Sequence, residues 1–385
     1  MGGAELIDRE EQEAVSEVIG RGVLFRYGFN EKRKNIFKVL EFESQFSKYM
    51  GCSYALAVSS GSAAVRVAVA ALGIKGGDEV ITQSFTFVAT VEGVLEAGAT
   101  PVLAEVDASL NMDPKDLDAK ITDKTRAIMP VHMLGVPARM DEILAIAGKR
   151  NIPVIEDSCQ ACGSGYKGKK TGTLGSLGTY SFDYVKTLTT GEGGMVVTND
   201  KKLYELACEY HDHGHVHNPE VPRGEDPHRI TGFNYRMTEV QGAFGLVQLN
   251  RLDSVLADQR KNKGEIKKAI AAIPQVKFRD LPDPAGDGGD TLAFFLPDAK
   301  VAKAFNDHLA KSKVDTKILP SAMNWHFSGN WKHMIQHLPP YRTDAWPKSE
   351  ALLKRAIALP ISVRMSDEQK KRVIEAIHRA AKEVL

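Results

Sequence analysis

Five short apolar runs that alternate with helical stretches constrain the fold of this chain more than any other feature. They are Ala55-Leu56-Ala57-Val58, Glu79-Val80-Ile81-Thr82, Thr100 to Val106, Ala127 to His132 and Ile152 to Asp157. Helical patterns lie around them, near 37–49, through an alanine-rich stretch to Leu72, and near 86–97, 113–121 and 139–150. Strands this apolar are covered on both faces, and the intervening helices supply the cover, so the pattern implies an α/β fold around a mixed, mostly parallel sheet. Ligands of such sheets sit at the carboxyl ends of the strands.

Three of those ends carry chemistry. After the first run comes Ser59-Ser60-Gly61-Ser62-Ala63-Ala64. A strand that turns into a helix through small residues leaves free amides at a positive dipole end, which suits a phosphate. Gly61, Ser62 and Ala63 can offer amides and Ser62 a hydroxyl, although Ser and Gly also serve such turns merely as caps. Phe85-Thr86-Phe87 follows the second run, and Glu156-Asp157-Ser158-Cys159-Gln160 closes the last. An acidic pair there is costly to bury unless something positive meets it. It reads either as a structural ion pair or helix cap, or as a carboxylate facing a cationic ring nitrogen.

Beyond the sheet pattern, a strand ending at Ser181-Phe182 runs into Asp183-Tyr184-Val185-Lys186, then Thr189-Thr190-Gly191-Glu192-Gly193-Gly194, then a second strand. Lys186 stands alone between the strands of a hairpin. At the floor of a cleft, desolvation makes such an amine a usable nucleophile toward a carbonyl carbon; on the surface it is an ordinary solvated lysine.

The length of 385 residues suggests a large and a small domain. The expected division is 21–250 and 251–385, the latter together with an N-terminal helix over 5–20. A long helix capped by Thr238 and running to about 268 joins the two, and amphipathic helices near 299–312, 349–356 and 367–384 complete the second. A net charge of +1 gives no long-range field for nucleic acid or an anionic membrane. Neither a signal peptide nor an apolar membrane span is read, and the expected location is the cytoplasm. The four cysteines include a Cys159-Gln160-Ala161-Cys162 spacing but no second pair, which argues against zinc or a disulfide framework. His211, His213, His215 and His217 alternate in a Gly/Pro-rich loop, where one extended face does not close a tetrahedron, so no metal is expected there either.

The motifs Ser60 to Ala64, Ser84-Phe85-Thr86-Phe87-Val88-Ala89-Thr90, Glu156 to Gln160, Ser181-Phe182, Lys186 with Thr189 to Gly194, and Gly232-Phe233-Asn234-Tyr235-Arg236 stand in order. With them the chain, from Phe25 to the last helix, resembles the DegT/DnrJ/EryC1/StrS family of sugar aminotransferases. The resemblance implies fold type I, the aspartate-aminotransferase-like architecture, and pyridoxal 5'-phosphate as cofactor. It implies Lys186 as the Schiff-base lysine and proton shuttle, Asp157 against the pyridine nitrogen, Gln160 at the ring hydroxyl and Phe87 stacked on the ring. Gly61, Ser62 and Ser181 would hold the phosphate, with serine at position 62 where the family usually has threonine. Asn234 would reach the phosphate of a neighbouring subunit, which implies a homodimer with shared sites. L-glutamate and a keto- or aldehydo-sugar are the implied partners. Lysine at 186 favours amino transfer over the related branch that removes a hydroxyl with histidine there.

The loops Phe25-Arg26-Tyr27 with Phe29, Asp212 to His215, and Asn324-Trp325-His326 with Asn330 to His333 resemble more closely the branch that makes 8-amino-3,8-dideoxy-manno-octulosonate for lipopolysaccharide. Arg26 would then pair a carboxylate, and Tyr27, His215, Trp325 and His326 would stack on or hydrogen-bond a polyol. A nucleotide-linked keto-sugar, a free keto-sugar phosphate, and a lyase or aldolase reaction on the same fold stay open.

Overall fold

The computed structural model describes residues 2–385. The apolar runs form β1 (Tyr54–Val58), β2 (Glu79–Gln83), β3 (Thr100–Ala104), β4 (Thr125–Ile128) and β5 (Ile155–Asp157). A small hairpin, β6 (Gly165–Tyr166) with β7 (Lys169–Lys170), precedes β8 (Leu177–Ser181) and β9 (Gly194–Thr198). Ladders give the orders β1-β9-β8-β5 and β3-β2-β4. Parallel bridges Ile128 to Val154 and Val131 to Asp157 join the two sets into one sheet, ordered β3-β2-β4-β5-β8-β9-β1. Only β9 runs against its neighbours. The strands point their carboxyl ends to one edge, and β9 returns from that edge after the Lys186 loop.

The helices α1 (Arg9–Arg21), α2 (Lys38–Met50), α3 (Gly61–Ala71), α4 (Val88–Leu95), α5 (Pro114–Lys120), α6 (Met140–Gly148) and α7 (Lys201–His211) come with this sheet. Small residues let α3 lie close on it: Ala63, Ala64, Val67 and Ala68 pack with Leu56, Ile155 and Val196 in one core. On the other side, α2 brings Phe42 and Phe46 against Tyr180 and Phe182. Each buried side chain of this size withholds roughly 1.5–3 kcal/mol of apolar transfer energy from water, so both faces of the sheet are committed to the interior and chemistry is left to its edge.

Helix α8 (Glu239–Ile270) starts at a Thr238 capping box, with Thr238 and Gln241 satisfying each other's amides. It runs unbroken for 32 residues, so the boundary expected at 250/251 falls within a continuous helix. Its second half packs beneath the antiparallel sheet of β10 (Lys277–Phe278), β11 (Thr291–Phe295) and β12 (Ala356–Pro360), with α9 (Ala299–Lys311) and, later in the chain, α12 (Asp367–Val384) enclosing Phe294, Phe305 and Ile377. Short α10 (Met323–His326) and α11 (Pro347–Leu353) lie between β11 and β12 in sequence. They carry Phe327, Trp331 and Trp346 into a core shared with Phe85, Leu103 and Val131 of the large sheet. The expected single N-terminal helix is a short 3-10 turn (Gly3–Leu6) followed by α1, and α1 rests on the first half of α8 through Glu11, which accepts from Gln248 Nε2 at 2.7 Å and pairs Arg251.

Candidate active site

The strand ends and the β12 side of the smaller sheet enclose a cavity of about 580 Å³. Its lining brings together Gly61, Ser62, Phe87, Asp157, Gln160, Ser181, Lys186 and His326, which the sequence scatters over more than 260 positions.

At one end lies the α3 N-terminus. Ser60 caps it, its hydroxyl accepting the Ala63 amide at 3.0 Å and its carbonyl the Ala64 amide at 3.0 Å. The Gly61 and Ser62 amides are left facing the cavity with the helix dipole behind them. Ala63 therefore drops out of the expected phosphate set, because its amide is already taken. A Cβ on Gly61 would stand 2.6 Å from the Ser181 Cβ, so only glycine lets the β8 end approach this turn. An anion here meets two amides and two serine hydroxyls.

Asp157 ends β5 beside this turn, 3% exposed. Its Oδ2 accepts from Thr90 Oγ1 at 2.7 Å and its Oδ1 from the Cys159 amide at 3.1 Å. Lys186 is half-buried on the loop between β8 and β9, its amide bonded to the Asp183 carbonyl and its own carbonyl accepting from Gly3. Gln160 accepts from the Leu134 amide at 3.1 Å, which turns its NH₂ group away from that contact. Phe87 is 41% exposed and offers its ring face, flanked by His326 at 5.3 Å and Trp325 at 6.5 Å between ring centroids. His326 Nδ1–H donates to the Ala322 carbonyl, and burial pushes its pKa down to about 4, so it stands neutral with Nε2 as an acceptor. Burial likewise pushes the Cys159 thiol up, an effect the neighbouring Asp157 reinforces. A nucleophilic amine, an anchored carboxylate, an aromatic face and an anion cradle around one cavity fit a flat, phosphorylated, cationic ring that bears an aldehyde.

Other expected residues lie elsewhere. Arg26, expected to meet a substrate carboxylate, is buried and spends its charge on Glu43, Nη2 to Oε1 at 2.6 Å; Glu43 also accepts the Ala57 amide at 2.6 Å. Tyr27 bonds His211 Nε2 at 3.0 Å and lies 4.6 Å from the His217 ring, tilted by 36°. His215 pairs Asp226 at 3.1 Å. These belong to a cluster outside the cavity, centred on buried Asp212 with Arg223 and Arg236. There burial alone would raise the carboxyl, but the two guanidiniums outweigh it and hold Asp212 down to about 2. Burial lowers His211 to about 3. Asn234 is exposed, next to Phe233 at 58% exposure, and Trp325 lines a second pocket with Lys332 and His333 rather than the cavity itself.

Sequence reasoning passed over Thr86 and Thr90, although two hydroxyls four apart around Phe87 are a usable signal. It also passed over Asp290, ion-paired to Lys317 in the opposite wall; these two lie on different elements 27 residues apart, with nothing local to mark them.

The sequence profile of the DegT/DnrJ/EryC1/StrS aminotransferase family matches residues 5–378. The chain belongs to this family. GDP-perosamine synthase from Escherichia coli O157:H7 is 35% identical over 347 residues, covering 88% of this chain and 89% of that one. The spore coat polysaccharide biosynthesis protein SpsC of Bacillus subtilis is 33% identical over 399 residues, covering 98% and 96%. Among solved structures, an aminotransferase from Psychrobacter cryohalolentis matches with a TM-score of 0.86 at 29% identity, over 98% of each chain. As a DegT/DnrJ/EryC1/StrS aminotransferase the chain is a pyridoxal-phosphate-dependent sugar aminotransferase of fold type I. Among its described residues no helix is long and apolar enough to cross a membrane.

Proposed function

We propose that this enzyme moves the amino group of L-glutamate onto the aldehyde of 8-oxo-3,8-dideoxy-manno-octulosonate, giving the 8-amino sugar acid. The observation that carries the catalytic part is the convergence of Lys186, Asp157 and the α3 N-terminus on one cavity.

Bound pyridoxal phosphate supplies an electron sink for the charge left when the α-proton departs. The chain does the rest. Gly61 and Ser62 amides with the Ser62 and Ser181 hydroxyls would hold the phosphate, and Phe87 would cover the ring. Asp157 would keep a proton on the ring nitrogen, and Gln160 would orient the ring hydroxyl. Lys186 Nζ would hold the cofactor by its aldehyde, and as a free amine would move the substrate's α-proton.

The acceptor rests on the loops beside the cavity, where His326 in its wall and Trp325 against Phe87 remain available to a polyol although Arg26 does not. A nucleotide-linked keto-sugar is the second reading, favoured by the 35% identity to GDP-perosamine synthase. The exposed Asn234 and Phe233 support a homodimer in which Asn234 reaches the partner's phosphate site, and the cytoplasm is the proposed place of action. The test is an absorbance scan of the protein loaded with pyridoxal phosphate. Glutamate should abolish the visible band, and the octulosonate aldehyde should restore it. Restoration by GDP-4-keto-6-deoxymannose alone would move the assignment to the second reading, and a band that ignores glutamate would remove glutamate as donor.

A further inference from the structure

Thr86 and Thr90 have no part in the scheme above, yet they are among the best-buried hydroxyls of the cavity wall, at 0% and 2% exposure. Their oxygens stand 2.7 Å apart, and Thr90 Oγ1 stands 2.7 Å from Asp157 Oδ2.

The proton inventory fixes a direction. A carboxylate only accepts, so Thr90 donates to Asp157. Thr90 has then used its one proton, and its contact with Thr86 is an acceptance. Thr86 must be the donor there. Were a proton placed on Asp157 Oδ2 the chain would reverse, and the Thr86 proton would be left with the Phe87 carbonyl at 3.4 Å, a poor acceptor. Every donor in the chain is well placed when Oδ2 is the acceptor. The Thr86 end is itself pinned, since its amide donates at 2.9 Å to the carbonyl of His326, from the opposite wall. Thr86 and Thr90 bracket Phe87 at the entry to α4, so one short segment sets both the ring face and the carboxylate.

We propose that Thr86 and Thr90 are positioning residues, a one-way chain of hydroxyl donors that holds Asp157 turned toward the cofactor's ring nitrogen. The proposal rests on the assignment of Asp157 to that nitrogen. A carboxylate held by such a bond keeps one orientation at the cavity wall, so its remaining lone pairs stay aimed at the place a ring nitrogen would take.

The experiment uses the protein loaded with pyridoxal phosphate labelled with ¹⁵N in the ring, together with titration of cofactor into the apoprotein. We expect Thr90→Val to move the ring-nitrogen resonance toward its deprotonated position and to weaken cofactor binding about tenfold, the size usual for loss of a group that orients a ligand. Thr90→Ser should restore both. Thr86→Val should shift the resonance in the same direction by less, and should add nothing in the Thr90→Val background, whereas independent packing roles would add. A Thr90→Val protein with unchanged resonance and affinity, while Asp157→Asn shifts both, overturns the hydroxyl chain alone. Asp157→Asn leaving the resonance where it was overturns the chain together with the assignment beneath it. Should Thr90→Val fail to fold, Thr86→Val decides: a resonance unmoved by it overturns the proposal.

Discussion

Glu156 and Asp157 are neighbours on one strand, equally buried and pointing to opposite faces of the sheet, yet their surroundings differ in kind. Glu156 is saturated from within the fold: His132 Nε2 at 2.9 Å, the Gly172 amide at 2.8 Å, and the Leu174 and Gly175 amides at 2.6 Å. It staples the loop before β8 to the end of β5. Asp157 has one hydroxyl and one amide, and its remaining face borders the cavity. Burial of an acid therefore says little about its role. The source of its donors says more: a carboxylate whose demands the chain meets entirely is architecture, and one left partly unmet at a cavity wall awaits a ligand.

The largest effect expected on the cavity side is that of Lys186→Ala. It should remove the visible band and lower turnover by at least about 10⁴-fold, the upper range for loss of a proton-transfer group; single-turnover measurement with glutamate checks it. Asp157→Asn should cost about 10²-fold in rate, as loss of one placed electrostatic group does, with little change in melting temperature. Arg26→Met should leave Glu43 buried and unpaired and destabilise by roughly 3–5 kcal/mol, without a rise in KM for the sugar beyond what partial unfolding causes. A selective rise in KM would return Arg26 to the substrate. Glu156→Gln is the mirror of Asp157→Asn. It should cost roughly 2–3 kcal/mol through mismatched buried donors and leave the cofactor's ring-nitrogen resonance alone; denaturant titration beside the spectrum separates the two acids.

Acidity offers the smallest handle. Burial holds His326 in the cavity at about 4 and His211 outside it at about 3, both below the ordinary 6.5. The unfolded chain thus binds these protons first. The stability they contribute is present above about 6.5 and is lost as pH falls from there toward 4 and 3. Each contributes a slope of about 1.4 kcal/mol per pH unit. Melting temperatures between pH 7 and 5 should fall less steeply in His211→Asn, and an unchanged slope would show that His211 does not titrate in this window.

Much of this was legible in the sequence. The apolar runs gave the strands to within a few residues, because burial on both faces leaves no other pattern, and of the acidic pair Glu156 is met wholly from within the fold while Asp157 borders the cavity. The Lys186 hairpin and the Ser60 turn could be read because each is a local signal. What was not legible is what distant segments do to one another. Nothing near Arg26 announces that Glu43 will claim it, and nothing near Ala63 announces that the Ser60 hydroxyl will fold back on its amide rather than leave it free. The expected boundary at 250/251 lies inside α8 for a related reason: one helix serves two cores, so no composition change marks the passage.

The three tryptophans divide sharply by place. Trp331 and Trp346 are sealed in the shared core at 0% and 1% exposure, while Trp325 is 61% exposed beside Phe87. The molecule thereby carries its own optical probe. Two indoles give a steady blue-edge emission that reports folding, and the third emits toward the red from beside the cavity. Quenching confined to that red component would register what enters the site, with no label attached to the chain.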